Sequence, residues 1–279
     1  MIVATLKGPR NLVVEEIESP NTPLGDNEIL VKTKLTAFKI GTDRGNYEGA
    51  EQVPGAPPYP RSVGDSNLGV IQSVGKNVKK FNVGDTVVSR AFHQSEYIGN
   101  ISDPIVKVPE GVKPEDAVWA HLYTLSHRCF TKANFIPGEY VAIVGLGTLG
   151  LGAIGIGSGI GARTIAIGNS KIRCAMAKRF GADHTLLHSD PNLLEKLNEL
   201  TDGNGVDLVI LTANPWPAFK LSLETVRPNG RVSIVSLLGR GERGLKENPL
   251  PMDLFYFKGI SIIAVNGDIG YLYPLTNNQ

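Results

Sequence analysis

The chain has 279 residues, with 28 Lys and Arg against 27 Asp and Glu and a formal net charge of +1. This length suits two domains better than one, and the balanced charge argues against a nucleic-acid partner. The N-terminal residues lack the apolar core of a signal peptide, and the apolar run 149–160 is too short to span a bilayer. We therefore expect a soluble cytoplasmic protein with a small-molecule ligand and no membrane partner.

The chain contains two cysteines, Cys129 and Cys174. Two thiols cannot supply a disulfide framework or a four-thiolate zinc site. Each cysteine is predicted to be a small buried side chain.

The first part of the chain consists of short apolar runs separated by turn signals. Strands are predicted at 29–33, 69–75 and 86–88, the last one directly after Gly84-Asp85. These runs predict a β-rich, partly barrel-like domain over residues 1–121.

From Tyr140 the pattern changes to strands and helices in alternation. The predicted strands are 140–144, 164–167, 185–187, 207–211, 231–235 and 260–265. The first predicted helix follows the strand 140–144 and ends near residue 160, and two more cover 172–180 and 192–200. Six such strands predict an α/β fold with a doubly wound parallel sheet of the Rossmann type, over residues 122–267. Residues 268–279 are expected to form a tail.

A glycine pattern lies between the first of these strands and the helix that follows it. It reads Gly145-Leu146-Gly147-Thr148-Leu149-Gly150. In this position the first glycine permits a tight turn, the second lets backbone approach a pyrophosphate, and the third lets the helix pack close to the strand. We expect Gly145, Gly147, Thr148, Leu149 and Gly150 to bind the pyrophosphate of a dinucleotide at the helix start. The alternative is a glycine-rich turn without a ligand.

The end of the second strand of this domain predicts which dinucleotide binds. NAD-selective sites carry an Asp or Glu about twenty residues after the first glycine, and this chain has Gly168-Asn169-Ser170-Lys171-Ile172-Arg173 there. We expect Gly168 to leave room for a 2′-phosphate, Asn169 and Ser170 to donate hydrogen bonds, and Lys171 or Arg173 to offset its charge. The predicted cofactor is NADPH. Alternatively, Lys171 and Arg173 form a solvated helix start.

A β-rich domain followed by this nucleotide domain resembles the medium-chain dehydrogenase/reductase superfamily. The motifs that carry the resemblance are, in order along the chain, Gly41-Thr42-Asp43, Gly64, Gly69-Val70-Ile71 to Val74-Gly75, Phe81 with Gly84-Asp85-Thr86-Val87, and Gly181-Ala182-Asp183. The resemblance implies a GroES-like catalytic domain at the N-terminus and a nicotinamide cofactor in the cleft between the domains. It also implies hydride transfer to or from a carbonyl, an alcohol or an activated double bond.

Zinc-dependent relatives carry metal ligands at positions that this chain fills differently. The resemblance places Ile40, Asp65-Ser66 and Ala120 at those positions. Catalytic zinc needs about three converging His, Cys or carboxylate ligands, and only Asp65 qualifies. We therefore predict no metal. A substitute site built from Asp65, His93 and His121 is the alternative.

Without zinc, hydrogen-bond donors must polarise the substrate oxygen. Thr42 matches the hydroxyl that passes on the substrate proton in zinc relatives, and Arg44-Gly45-Asn46-Tyr47 is similar to a stretch of zinc-free quinone and enone reductases. Thr42 and Tyr47 are the predicted proton donors, with Asp65 and Lys39 as further groups at the catalytic site. Alternatively, Tyr47 is an aromatic that covers the edge of the core.

Thr124 matches a threonine that packs beside the nicotinamide ring in relatives. The alternative is an ordinary threonine on a helix face. His121 and His127 flank this position, and we leave both out of the predicted catalytic set.

Superfamily members return from the sixth strand to the N-terminal domain, and this sequence stops at Gln279 without that segment. The apolar sixth strand predicts a sheet edge that pairs two copies into a homodimer. The predicted activity is zinc-independent, NADPH-dependent hydride transfer with a ketone or alcohol, or with an enone or quinone. The alternative is a non-catalytic NADPH-binding sensor or partner subunit.

Overall fold

A computed structural model describes residues 1–19, 23–50 and 57–266 of the chain. Their backbone forms two compact units, one of residues 1–121 and one that starts at Leu122. The predicted tail, residues 268–279, lies outside the described residues.

The first unit is built from short antiparallel strands. They are β1 (Ile2–Gly8), β2 (Asn11–Glu16), β3 (Glu28–Thr36), β4 (Arg61–Ser62), β5 (Asn67–Val74), β6 (Thr86–Ser89), β7 (Glu96–Asn100) and β8 (Val106–Lys107). One sheet has the order β2-β1-β4, and the other has the order β7-β3-β5-β6-β8. The predicted β-rich domain is confirmed. The patterns did not predict the β1–β2 hairpin, although its strands pair from Ile2 with Glu16 to Gly8 with Asn11.

Three short helical segments join these strands. A π-helical turn (Ile40–Arg44) leads directly into α1 (Gly45–Glu48), and α2 (Pro114–Ala117) precedes the end of the unit. The core of the five-stranded sheet is apolar and fully enclosed, formed by Ile29, Val31, Ile71, Phe81, Val87 and Tyr97. This packed sheet holds the turn after β3 and the residues just before β5 in place.

The second unit alternates helices and strands. Its elements are α3 (Ala120–Thr131), β9 (Tyr140–Val144), α4 (Thr148–Gly159), β10 (Arg163–Gly168), α5 (Lys171–Arg179), β11 (His184–Leu187), α6 (Leu193–Leu200), β12 (Val206–Leu211), α7 (Trp216–Thr225), β13 (Val226–Ile234) and β14 (Ser261–Ala264). The sheet order is β11-β10-β9-β12-β13-β14, and every neighbouring pair is parallel. This arrangement confirms the doubly wound Rossmann sheet.

Two features of this unit differ from the predicted elements. β13 begins at Val226 rather than at residue 231, because Val226 already pairs with Val206 of β12. Pairing resumes at Arg231 after an irregularity through Pro228-Asn229-Gly230, where Asn229 has a φ of 57°. Those residue types usually signal a turn. The patterns also predicted no helix at α7, which carries Pro217 in its first turn, where proline is tolerated.

Central strands of the parallel sheet are buried on both faces. Ile143, Ile165 and Ile210 are fully buried, as expected for strands covered by helices on each side. Cys129 and Cys174 are free and buried, as predicted. Within the described ranges, no helix is both long and apolar enough to cross a membrane.

Candidate functional site

The glycine loop joins β9 to α4, and its three glycines meet different local constraints. Gly145 has a φ of 101°, and a Cβ atom at that position would lie 2.7 Å from the Thr212 hydroxyl oxygen. A Cβ at Gly150 would lie 1.9 Å from the carbonyl oxygen of Gly145. Both positions therefore favour glycine because of the protein's own backbone and side chains.

Gly147 differs from the other two glycines because no protein atom lies within 4 Å of its would-be Cβ. Gly147 is also the N-cap of α4, and no side chain caps this helix. The first-turn N–H groups of a helix lack intrahelical partners and favour an anion. Thr148 and Leu149 lie in this half-buried first turn. The open backbone and the uncapped helix fit the pyrophosphate of a dinucleotide.

Residues at the end of β10 form the predicted site for the 2′-phosphate of the cofactor. Asn169, Lys171 and Arg173 are exposed. The Ser170 hydroxyl accepts a hydrogen bond from the Arg173 backbone N–H at 3.3 Å and caps α5, so its own proton can still be donated. Two cations and one hydroxyl thus lie within four residues, with no carboxylate between Gly168 and Arg173.

Gly168 does not provide the open space predicted for it. It is buried, and a Cβ there would lie 2.6 Å from Cδ1 of Leu146 and 3.3 Å from the sulfur of Cys174. The missing side chain makes room for Leu146 of the glycine loop. A 2′-phosphate would have to lie over the exposed residues beyond β10 instead.

Thr124, the residue predicted to lie beside the nicotinamide, is on α3 and is 7% exposed. Two residues further on, the Ser126 hydroxyl donates a hydrogen bond to the Leu149 carbonyl at 2.8 Å. This bond ties α3 to the first turn of α4. The role of Thr124 stays a prediction.

In the first unit, buried charged groups lie close together around Asp65. The Lys39 ammonium forms an ion pair with Asp65 Oδ1, and Lys39 is only 7% exposed. The ring nitrogen Nε2 of His121 lies 3.6 Å from the same oxygen, and Arg90 reaches within 3.7 Å of the other oxygen, Oδ2. Nδ1 of His121 is 3.0 Å from the Ser66 hydroxyl. We call Lys39, Asp65, Ser66, Arg90 and His121 the Asp65 cluster.

The cluster shifts the titration of its members. Burial by itself would raise the pKa of Asp65, but the contact with His121 and the charge of Lys39 outweigh it and hold that pKa well below its usual range. Burial lowers the pKa of His121, and this effect outweighs the opposing influence of Asp65. The cluster therefore holds an ionised Asp65 and a neutral His121 near pH 7.

These charge states define the hydrogen bonding of the imidazole ring. A carboxylate can only accept, so Nε2 of neutral His121 carries the proton and points it at Asp65. Nδ1 then accepts from the Ser66 hydroxyl. Ser66, His121, Asp65 and Lys39 form a continuous polar chain.

Asp43 and His93 lie apart from that chain. Asp43 accepts a hydrogen bond from the Lys39 backbone N–H at 2.6 Å, and Nε2 of His93 lies 4.0 Å from its carboxylate. Burial raises the pKa of Asp43 despite this hydrogen bond. Gly64, with a φ of 93°, leaves the space that the His93 ring occupies, since a Cβ there would lie 2.6 Å from the ring.

The substitute metal site of Asp65, His93 and His121 is therefore divided between two carboxylates. His121 faces Asp65, while His93 faces Asp43. Among the described residues, no three His, Cys, Asp or Glu side chains are grouped so that they could hold a metal ion. Asp65 already pairs with the Lys39 ammonium, and that positive charge disfavours a divalent cation at the same carboxylate, so these side chains fit a zinc ion poorly.

The two predicted proton donors lie on neighbouring helical segments. Thr42 is half-buried in the π-helical turn that begins next to Lys39. Tyr47 lies on α1 and is 41% exposed. Among the described residues, neither hydroxyl has a hydrogen-bond partner. The roles of Thr42 and Tyr47 stay predictions.

Sequence reasoning ranked Lys39 low and left out His121 and Arg90. The burial of Lys39 could not be read from the sequence, because an isolated lysine after a strand is usually exposed. His121 lies 56 residues from Asp65 in the chain, and no local pattern links them. Only the folded first unit brings these groups together.

Two family models match the chain and together span residues 25–269. The alcohol dehydrogenase GroES-like domain matches residues 25–161, and the zinc-binding dehydrogenase domain matches residues 148–269.

Curated relatives are dehydrogenases. A sorbitol dehydrogenase from Halalkalibacterium halodurans is 26% identical over 273 aligned residues, covering 86% of this chain and 78% of the relative. An NADP-dependent isopropanol dehydrogenase from Entamoeba histolytica is 29% identical over 163 residues, covering 58% of this chain and 43% of the relative. Among solved structures, an alcohol dehydrogenase from Thermus sp. ATN1 superposes with a TM-score of 0.84 at 22% identity, covering 99% of this chain and 87% of the other. This last likeness concerns the fold.

Proposed function

The chain belongs to the alcohol dehydrogenase-like medium-chain dehydrogenase/reductase superfamily of nicotinamide-dependent oxidoreductases, and on this premise we propose that it is an NADPH-dependent enzyme that works without zinc. The reaction is hydride transfer between nicotinamide and a ketone or alcohol, or an enone or quinone. The observation that carries the proposal is the uncapped start of α4 beneath the open backbone of Gly147.

NADPH fits the residues of the second unit. The helix start at Gly147, Thr148 and Leu149 would hold the pyrophosphate. Lys171 and Arg173 would hold a 2′-phosphate, because exposed cations without a neighbouring carboxylate favour a doubly charged anion. When bound, the reduced nicotinamide supplies a hydride. The NADP-dependent isopropanol dehydrogenase among the relatives supports the same choice.

The absence of zinc from the mechanism is supported by side-chain chemistry. Ile40 and Ala120 have no ligand atoms, and the Ser66 hydroxyl is engaged with His121. Asp65 is paired with Lys39. The residues present therefore differ from the three converging His, Cys or carboxylate ligands that a catalytic zinc needs.

Thr42 and Tyr47 are proposed to donate the proton. Reduction of a carbonyl leaves negative charge on oxygen, which needs a hydroxyl donor within about 2.6–3.2 Å. Both side chains have a free hydroxyl within the described part of the chain. Thr42 lies in the same turn as Asp43, close in sequence to the Asp65 cluster.

A homodimer is also proposed, formed through β14. Among the described strands, β14 is at the edge of the six-stranded sheet, and its one neighbour there is β13. An open strand edge favours pairing with a second copy. Sedimentation equilibrium at micromolar concentration tests this, and a concentration-independent monomer would refute it.

The rival function is NADPH binding without turnover, as a sensor or partner subunit. The discriminating experiment combines fluorescence titration of NADPH with a turnover assay on a panel of ketones, enones and quinones. The proposal expects both tight binding and NADPH oxidation with at least one substrate class. Gly147→Ala is the matched control, because its side chain meets no protein atom but covers the helix start. Binding without any oxidation across the panel would favour the rival.

A further inference from the structure

Lys39 is the single lysine that is buried within the described ranges, at 7% exposure. Its ammonium is held by Asp65, which itself contacts His121 and Arg90. Removing an ammonium from water is costly, and a well-packed apolar pair would be as stable or more stable than a buried ion pair. Burial of this charge therefore points to a chemical role for it.

Two cations lie beside Asp65, and a second carboxylate, that of Asp43, accepts a hydrogen bond from the Lys39 backbone N–H. Lys39 and Arg90 both face one carboxylate, and burial keeps His121 neutral. The Arg90 side chain is 42% exposed and 3.7 Å from Asp65, so it screens the carboxylate from the solvent side. Within the cluster, Lys39 is thus the buried cation, and its ammonium is the charge that can act in place of a metal ion.

We propose that the Lys39 ammonium replaces a catalytic metal as the cation that polarises the substrate oxygen, with Asp65 and His121 as positioning residues. This inference rests on the proposed function, since it names the group that acts in the same reaction. With reduced nicotinamide bound, its C–H bond would break and supply a hydride to the carbonyl carbon, so that the nicotinamide is oxidised as the substrate is reduced. The C=O π electron pair would move to oxygen, and one proton from the Thr42 or Tyr47 hydroxyl would end on that oxygen.

Lys39 keeps its proton throughout the step and acts through charge and hydrogen bonding. The hydroxyl that has given its proton recovers one from water. Asp65 holds the ammonium in place, and Nε2 of His121 faces the same carboxylate oxygen at 3.6 Å. Ser66 in turn donates to Nδ1 of His121 and fixes the ring.

The first experiment compares Lys39→Met, which keeps length and loses charge, with Lys39→Arg, which keeps the charge. Lys34→Met is the matched control, because Lys34 lies on β3 with an exposed side chain. Turnover of a ketone should fall by at least about 100-fold in Lys39→Met and recover in part in Lys39→Arg. NADPH affinity should stay the same in all three variants. Unchanged turnover in Lys39→Met would overturn the inference and leave the proposed function standing.

A second experiment separates chemistry from structural support. The double variant Lys39→Met with Asp65→Leu replaces the ion pair by apolar side chains and should recover the thermal stability lost in Lys39→Met alone. Its turnover should stay as low as in the single variant. Recovery of turnover together with stability would show that the pair is only structural.

A binding measurement tests the inference without turnover. Benzoate presents a carboxylate oxygen like the charged oxygen of the reaction, and its affinity for the protein saturated with NADP⁺ is measured by calorimetry. Affinity should fall at least about tenfold in Lys39→Met and persist in Lys39→Arg. Benzoate binding that depends on Lys39, in a protein that turns over no substrate, would refute the proposed function and support the cation site. No binding to the parent, or equal binding to parent and Lys39→Met, would overturn the inference.

Discussion

Substituting Gly150 by alanine tests whether this glycine is needed for the packing of α4, in contrast to Gly147, which we propose is needed for cofactor binding. A Cβ at this position would lie 1.9 Å from the Gly145 carbonyl oxygen, a distance that must grow to at least 3.0 Å. Because the neighbouring atom is backbone, α4 has to move away from β9. Overpacking of this kind costs about 3 kcal/mol, the upper part of its usual range. For a unit of this size, that cost corresponds to a fall in Tm of roughly 6–12 °C.

Calorimetric melting curves and NADPH titrations of three variants test this reasoning. Gly155→Ala on the same helix is the control, because its Cβ would meet Phe180 at an ordinary distance of 3.7 Å and alanine favours a helix. Gly150→Ala should lose stability, whereas Gly147→Ala should keep its Tm and lose NADPH affinity. If Gly150→Ala has the same Tm as the parent protein, α4 does not pack against Gly145 as described.

Four further predictions concern the two sites. Lys171→Ala should weaken NADPH binding by more than about tenfold and leave NADH binding unchanged, and equal losses in fluorescence titrations would contradict the 2′-phosphate assignment. Elemental analysis should find no stoichiometric zinc, and chelators should leave turnover intact; zinc whose removal abolishes turnover would disprove this. Thr42→Val or Tyr47→Phe should reduce turnover roughly ten- to a thousandfold at constant NADPH affinity, whereas full activity in both would place the proton donor elsewhere. Burial lowers the pKa of His121 below 6.5, so the unfolded chain binds this proton first and the free energy of unfolding falls as the pH drops below about 6.5. Urea unfolding at pH 7.5 and 5.5 should show a smaller fall in His121→Gln, and an equal fall would contradict the lowered pKa.

Local sequence patterns were sufficient to predict the second unit because its parallel strands are buried on both faces. Such strands are continuous apolar runs, and 140–144 coincides with β9. Patterns failed where local residue types and tertiary pairing disagree. Pro228-Asn229-Gly230 has the residue types of a turn, yet β13 spans these residues, because β12 pairs with Val226 before them and with Arg231 after them. The β1–β2 hairpin carries exposed apolar residues such as Val14, so it lacks the alternation that marks a strand.

The fold, the family and the position of the glycine loop can be read from the sequence, because each depends on residues that are close together in the chain. The six residues of the glycine pattern are consecutive, and the geometry of their loop follows from the strand before it and the helix after it. The role of Gly168 depends on long-range packing, since the atom that fills the space beside it belongs to Leu146, 22 residues earlier. The Asp65 cluster is likewise a product of folding. Burial and charge pairing depend on distances between Lys39, Asp65 and His121 that no local pattern encodes, and those distances set which groups are charged.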